Sequence, residues 1–553
     1  MKRTKLICLI LACLYACTIL SACNASDPAT PPSTAAPPAA TSTPGGTTST
    51  PAPAVVEQEA YSFVYYRNYE WVNVSFIWGD DMISSILEDK FNISVTLAKP
   101  DIDPDQKMGI MIASGDLPDV MQVERDAIYR QLINLDMLIP LDGFIDNGSH
   151  YSQIVEQGTR DLARVDGVTY GLLNFPVTSD HAVSNNGFAI NKKIWEQLGS
   201  PKLDTTDDLF DYLMAVKAAN ITVDGQSVIP LQFFPGDWMV NLMTNSFGVN
   251  SLEGVVPIDG HLSLYLNDPR TVDAFVFMNK LWNNGLVNSD YFIEKSEQVM
   301  EKLTTGRVAV YGGNNITIPA FNEARLTMIE NDPGNDYLVI PPPAAAGVGH
   351  VYNNIGSTMG WNSVVVTNTA EKPDRIFELI DYIFSDEGTL LSVYGPQGEL
   401  YDELDNEGFP ILTMGLGSVS AELRAQLGLN QWTLLGNTMF MDMAKLADNA
   451  RRPVDERDWI TESQIRVTYR HAKNDDAVLV GMATNPQEPE GIAFAAFRQL
   501  NEQHTPRIIM ARTEAECLAA IQEAINDMYS QGFALVEAHK DAAFQNNLRL
   551  LGR

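Results

Sequence analysis

Cysteine is nearly absent from the part of this chain that can fold. The 553 residues hold five, at 8, 13, 17, 23 and 517, and four of these lie in the first 23 positions. Only Cys517 remains for a folded body, so no intramolecular disulfide can staple it and stability must come from core size. Cys517 falls on a helical face with Ile521, Ala524 and Met528, the setting of a buried structural thiol rather than a nucleophile. Histidine is equally thin: seven residues, at 150, 181, 261, 350, 471, 504 and 539, with no pair at metal-ligand spacing. There is no Gly-x-Ser-x-Gly elbow, no phosphate-binding glycine loop and no Cys-x-x-Cys. Asp101-Ile102-Asp103-Pro104-Asp105 begins like a calcium loop, but Gln106 stands where glycine is needed and Ile112 where the bidentate acid should be. Acids opening a helix account for it better, because they complement the helix dipole. Positive charge is also in deficit, with 37 Lys and Arg against 70 Asp and Glu and a net charge of −33. A chain without a basic patch is poorly suited to nucleic acid. It also disfavours strongly anionic ligands unless a local basic cluster overrides the field. Carboxylate pairs for glycoside hydrolysis stay open among 70 acids, with no pair singled out.

Long apolar runs are missing too, save one at the start. Lys2, Arg3 and Lys5 precede an apolar stretch from Leu6 to Leu20, and Leu20-Ser21-Ala22-Cys23 closes it. This is the pattern of a secretory signal peptide over 1–22. The run is short for a membrane span, which needs about 20 residues. Cys23 at the cut site resembles the bacterial lipobox, in which that Cys becomes the lipid-bearing N-terminus. An ordinary signal peptide with an incidental Cys is the blander alternative. Residues 24–54 are almost entirely Ala, Pro, Ser, Thr and Gly, with the single charge of Asp27. Such a segment cannot build a core. Semi-extended, it would reach on the order of 100 Å at about 3 Å per residue, a tether for the body at 55–553.

Roughly 500 residues exceed one core, so two or three domains are expected. Strand-like and helix-like segments alternate, which points to α/β architecture. Ile93–Leu97 and Pro118–Val123 read as strands, and the Asp103 cluster opens a helix ending at Gly115. Val72–Ile77 also reads as a strand. Thr205-Thr206-Asp207-Asp208 is a capping box for a helix carrying Leu209, Tyr212, Leu213 and Val216 on one face. Pro373 begins another, with Ile376, Leu379, Ile380, Ile383 and Phe384, and Thr513–Glu516 caps a late one. No internal repeat is found.

Several stretches, in order, resemble the extracellular solute-binding proteins of family 1, in particular the large Gram-positive lipoproteins that serve oligosaccharide ABC importers. They are Met111-Ile112-Ala113-Ser114-Gly115-Asp116-Leu117-Pro118-Asp119-Val120, Leu135–Asp142, Asp166–Gly171 with Phe188–Trp195 and Leu198-Gly199, Gly306–Val310, and Phe377–Gly398 with its Tyr394-Gly395-Pro396-Gln397-Gly398. The match is poorest from Ile411 to Gln503. The resemblance implies an α/β, two-lobe type II periplasmic-binding-protein fold with a hinge and an interlobe cleft. Lobe one would take about 61–176 and 306–342, and lobe two about 180–303 and 354–553. Phe175-Pro176-Val177 and Ile340-Pro341-Pro342-Pro343 would be the crossovers. Ligand capture would be hinge closure, read by a membrane permease.

A pyranose offers C–H faces to aromatic rings and a rim of hydroxyls to amides and carboxylates. Candidates are therefore aromatics beside Asp or Asn in loops: Trp78 with Asp80, Asp237 with Trp238, Tyr311 with Asn314, and Trp361. Trp432 and Trp71 are weaker ones; for every Trp, packing in the core is the competing role. Asp116 and Asp119 read as structural. The resemblance implies a non-catalytic, monomeric subunit on the extracellular face of the cell membrane, lipid-anchored through Cys23, taking an oligosaccharide or sugar derivative to ABC permease subunits without a cofactor. A peptide or other solute on the same fold, or a surface glycan-degrading enzyme, are the alternatives.

Overall fold

The computed structural model describes residues 59–553, apart from 146–147, 178–184, 317–318, 353–356, 469–471 and 474–475. The signal segment, Cys23 and the 24–54 stretch lie outside the described residues. Nine strands make the two main sheets: β1 Tyr61–Arg67, β2 Ile93–Ala98, β3 Val120–Val123, β4 Gly171–Asn174, β5 Gly187–Asn191, β6 Ile229–Phe233, β7 Val308–Gly313, β8 Tyr337–Ile340 and β9 Asn362–Val366. A five-stranded sheet has the order β2-β1-β3-β9-β4, and a four-stranded sheet the order β8-β5-β7-β6. In the first, β1, β2, β3 and β4 run one way and β9 against them. In the second, β5 alone opposes β6, β7 and β8.

Each sheet is covered on both faces, as alternating burial requires. Phe63, Tyr65, Val364 and Val366 point into one core of the first sheet, while Tyr66, Met121, Val123 and Val365 point into the other. Phe188 and Ile190 face one core of the second sheet, and Ala189, Tyr337 and Val339 the other. The architecture is α/β with two lobes, one per sheet.

Helices begin and end where the sequence sets them. Asp103 caps Pro104–Ser114 by accepting from Gln106 N, and Gly115 ends that helix in the left-handed region at φ 72°. This confirms the cap over the calcium loop. The capping box at Thr205 is formed over Thr206–Ala219. Cys517 is buried on Glu514–Ser530, and burial pushes its thiol up to about 11.

Two expectations fail. Val72–Ile77 is not a strand: Asn73 Oδ1 accepts from both Ser75 N and Ser75 Oγ, and this side-chain turn replaces a ladder. The returning segments are also exchanged between lobes. β7 and β8, expected in lobe one, pair with β5 in the second sheet, while β9 joins β3 and β4 in the first. The helix Pro373–Phe384 and residues 390–444 fill the core of lobe one, and the last helices pack on lobe two. All six residues of β7 are buried, so its own pattern fits either sheet and only long-range pairing decides.

Candidate functional site

The crossings locate the cleft. The chain leaves β4 at its carboxyl end and enters β5, whose start lies at the carboxyl edge of its neighbours because β5 runs against them. It returns from the carboxyl end of β8 to the start of β9, again an antiparallel strand entering at its neighbours' carboxyl edge. Both passages therefore join carboxyl edge to carboxyl edge, which is where α/β sheets present ligand-binding loops. Phe175–Val177 and the segment after Ile340 are these crossings, as read from the sequence. They are tied together: Val177 N donates to Ser357 O at 3.1 Å and Trp361 N to Asn174 O at 2.9 Å. Gly360 has φ +68°, and a Cβ there would stand 2.2 Å from Asn174 O, so only glycine fits.

On the lobe-one edge three rings form a mutual cluster. Tyr69 follows β1 and Trp361 precedes β9, with ring centroids 4.8 Å apart. Trp71 lies 5.5 Å from Tyr69 and 5.6 Å from Trp361. Tyr69 is buried behind the two indoles, which remain 68% (Trp71) and 43% (Trp361) exposed. A directed hydrogen-bond chain runs under them. Asn174 Nδ2 donates to Asn362 Oδ1 at 2.9 Å, Asn362 Nδ2 to Tyr69 Oη at 2.8 Å, and Tyr69 Oη to Glu124 Oε1 at 2.9 Å. The chain thus ends on a carboxylate, which can only accept.

Burial raises Glu124 above the usual carboxylate range, and the charge of Asp126 adds to this while the Tyr69 hydroxyl, Arg125 and the Trp361 indole oppose it. Asp126 is raised by burial as well, and caps the helix Ala127–Asn134 through Ile128 N and Tyr129 N. Arg125 is lowered by burial; its guanidinium donates to Asn362 O at 2.8 Å and Gly360 O at 3.0 Å, pinning the second crossing.

The lobe-two edge is simpler. Asp237 and Trp238 stand where β6 gives way to the helix Trp238–Ser246. Tyr291 fixes that turn by donating to Gly236 O and accepting from Met239 N at 3.1 Å. Asp237 is solvent-facing at its own surface, yet the packing around it and the charge of Glu502 raise its pKa. Trp238 is half-buried and belongs to none of the hydrophobic cores. Asn314 follows β7, and its Oδ1 is buried without a hydrogen-bond partner among the described residues.

Of the residues singled out in the sequence, Trp361 and Trp71 lie at the lobe-one edge, and Asp237, Trp238 and Asn314 at the lobe-two edge. Tyr311 does not: it is fully buried within β7, stacked on Phe321, with its hydroxyl on Asn315 at 2.6 Å. Trp432 is fully buried in lobe one and donates Nε1 to Asp81 Oδ2 at 2.6 Å, leaving no ring face for a ligand. Trp78 packs edge-on against Trp432 at 4.9 Å, in the same core. Asp80 is exposed in the turn beside it. Asp119 accepts from Val64 N at 2.9 Å and is structural. Tyr69 and Glu124 were missed; the readable signal was their place one or two residues past a strand's carboxyl end.

A cavity of about 760 Å³ lies elsewhere on lobe two, between Phe247, Arg270, Phe277, Lys280 and the loop 345–350. Several of its polar groups are already engaged. Arg270 forks onto Asp268 and donates to Gly248 O, Lys280 sits 3.7 Å over the Phe210 ring, and Asn279 holds Ile509 O and Ala511 O. The exposed indoles over an acceptor network make the stronger site, open rather than enclosed. Among the described residues no group of three or more His, Cys, Asp or Glu is placed to hold a metal ion.

Comparison with known proteins agrees with the fold. The family model of the bacterial extracellular solute-binding proteins matches residues 82–397. A curated relative, lipoprotein LipO of Bacillus subtilis, is 21% identical over 321 residues, 55% of this chain and 61% of that protein. The chain thus spans about three-fifths of that relative's length. Among solved structures, an HMO-binding, ABC-transporter-associated solute-binding protein of Bifidobacterium longum infantis has a TM-score of 0.67 at 15% identity, covering 88% of this chain and 99% of its own. The S. pneumoniae ABC-transporter substrate-binding protein FusA, in complex with kestose, has a TM-score of 0.64 at 17% identity, covering 88% and 99%.

Proposed function

The chain belongs to the bacterial extracellular solute-binding protein family, and from that premise we propose that it captures an oligosaccharide between its lobes and delivers it to an ABC permease. The observation that carries this reading is the ring cluster of Tyr69, Trp71 and Trp361 above the acceptor Glu124. Exposed indole faces suit the C–H faces of a pyranose, and a carboxylate suits its hydroxyls. Trp238, Asp237 and Asn314 supply the opposing wall on closure. Proteins of similar fold, one HMO-binding and one in complex with kestose, lend support to the same solute class. The family's binding role supports a non-catalytic subunit. Cys23 carries the lipid in this reading, holding the body at the outer face of the membrane.

A thermal-shift screen of the folded body against oligosaccharides, monosaccharides and peptides tests it, since a ligand bound only to the folded state raises the midpoint. A shift with an oligosaccharide that is lost in Trp361→Ala is the expected result. A shift with peptides alone would overturn the sugar assignment.

A further inference from the structure

We propose that the cleft discriminates by charge, taking uncharged glycans and rejecting those that carry carboxylates, with Glu124 as the residue that sets this limit. The inference rests on the sugar-binding reading above and narrows it. The chain-wide excess of acid alone could not decide the matter, because a local basic cluster can override it.

The described edge segments allow that question to be settled. In lobe one they are 68–71, 99–101, 124–126, 175–177 and 360–362; in lobe two they are 185–186, 234–238, 314–316 and 341–343. Their acids are Glu70, Asp101, Glu124, Asp126 and Asp237, and their bases are Lys99 and Arg125 alone. Both donate to backbone carbonyls, which orients them but leaves their charge in place. Arg125 spends its guanidinium on two backbone carbonyls of the crossing, and Lys99 Nζ donates to Glu70 O at 2.7 Å. Arg67, at the end of β1, donates inward to Gln431 O at 3.3 Å beneath the Tyr65 ring. From lobe two, Lys540 and Lys302 are paired with Glu253 and Glu294.

With five acids against two bases in these segments, a sugar carboxylate resting on the indoles would meet a net negative edge at Glu124 and Asp126. Like charges brought together in a partly desolvated site are repelled strongly, and this is a common means of excluding wrong partners. The direction of the hydrogen-bond chain adds a second reason. It begins at the Asn174 amide and ends on the Glu124 carboxylate, so the group offered to ligand is an acceptor. Hydroxyls can donate to it. A carboxylate cannot.

The test uses one ligand in two charge states. Neutral oligosaccharides are screened by calorimetry, and whichever binds is oxidised at C6, turning each primary hydroxyl into a carboxylate and changing little else; uronate oligosaccharides are screened alongside. The expected result is that the oxidised form binds about tenfold more weakly or worse, and that Glu124→Gln narrows the gap by about fivefold. Equal affinity for the two forms, or a uronate as the preferred ligand, overturns the charge limit and leaves the sugar reading standing. A gap that is unchanged in Glu124→Gln removes Glu124 as its cause. Silence toward every sugar, neutral and acidic, overturns the sugar reading itself.

Discussion

Two tryptophans, Trp361 and Trp432, carry opposite consequences for the same residue type. Trp432 spends both its face and its N–H inside lobe one, 351 residues from the Asp81 that accepts from it. Trp432→Phe should cost about 2–3 kcal/mol, because it opens space in a packed core and leaves Asp81 short of a donor. Chemical denaturation reads that loss, and ligand affinity should not change. Trp361→Ala should do the reverse, weakening binding about tenfold or more with little change in midpoint, since its face is solvent-exposed. Trp238→Ala should likewise weaken binding about tenfold from the opposite wall, and unchanged affinity would remove it from the site. Nothing local in the sequence separates these tryptophans. Each sits beside Asp, Asn or Gln, and which ring is covered depends on chain far away in sequence.

Glu124 adds a titration with a definite sign. Its folded pKa lies above the ordinary 4.5, because burial disfavours the charged form. A carboxyl shifted in this direction favours the folded state below its unfolded pKa, and that contribution is lost as pH rises through the folded value. Glu124→Gln has no proton to lose. It should therefore be more stable than the parent at pH 7, with the difference shrinking as pH falls toward about 4. Parallel melts across that range check this, and a gap that widens on acidification would contradict it.

At the scale of elements, what was legible was what is held by neighbours in sequence. Thr205 with Asp208, Asp103 with Gln106 and the left-handed Gly115 each close over three or four residues, so they read directly. Lobe membership did not read, because β7 and β9 are buried strands whose partners are chosen by long-range pairing. The crossings sit between these cases: their prolines and position marked them, while their strain appears only in space. Phe175 holds φ at 57° and donates N–H to Gly436 O at 2.9 Å. Phe175→Gly would relieve the backbone but remove packing. Gly360 is the cleaner probe. Gly360→Ala places a methyl against Asn174 O and should break the Trp361–Asn174 backbone bond, costing about 2 kcal/mol or more. It should also impair binding, because Trp361 follows directly. Parental stability in this variant would mean that the crossing adjusts freely.

At the scale of the whole molecule, the proposed capture of a sugar between the lobes requires a change of shape. Tyr69 and Asn362 meet although 293 residues separate them, so the lobe-one platform is assembled before any ligand arrives. Asp237, Trp238 and Asn314, the wall proposed to oppose it, follow strands of the other sheet. A ligand stacked on Trp71 and Trp361 gains a second set of contacts only if the lobes approach, and that differential contact drives closure. Such closure would cover Trp71, which is 68% exposed. Ligand should therefore shift tryptophan emission to the blue and lower the radius of gyration in solution scattering. Trp71→Phe should remove most of the emission change and leave the scattering change in place, since a phenyl ring can still stack. Emission that shifts without any contraction would mean that sugar binds to lobe one alone. The molecule would then be a static platform, and recognition by a permease could not depend on the closed form.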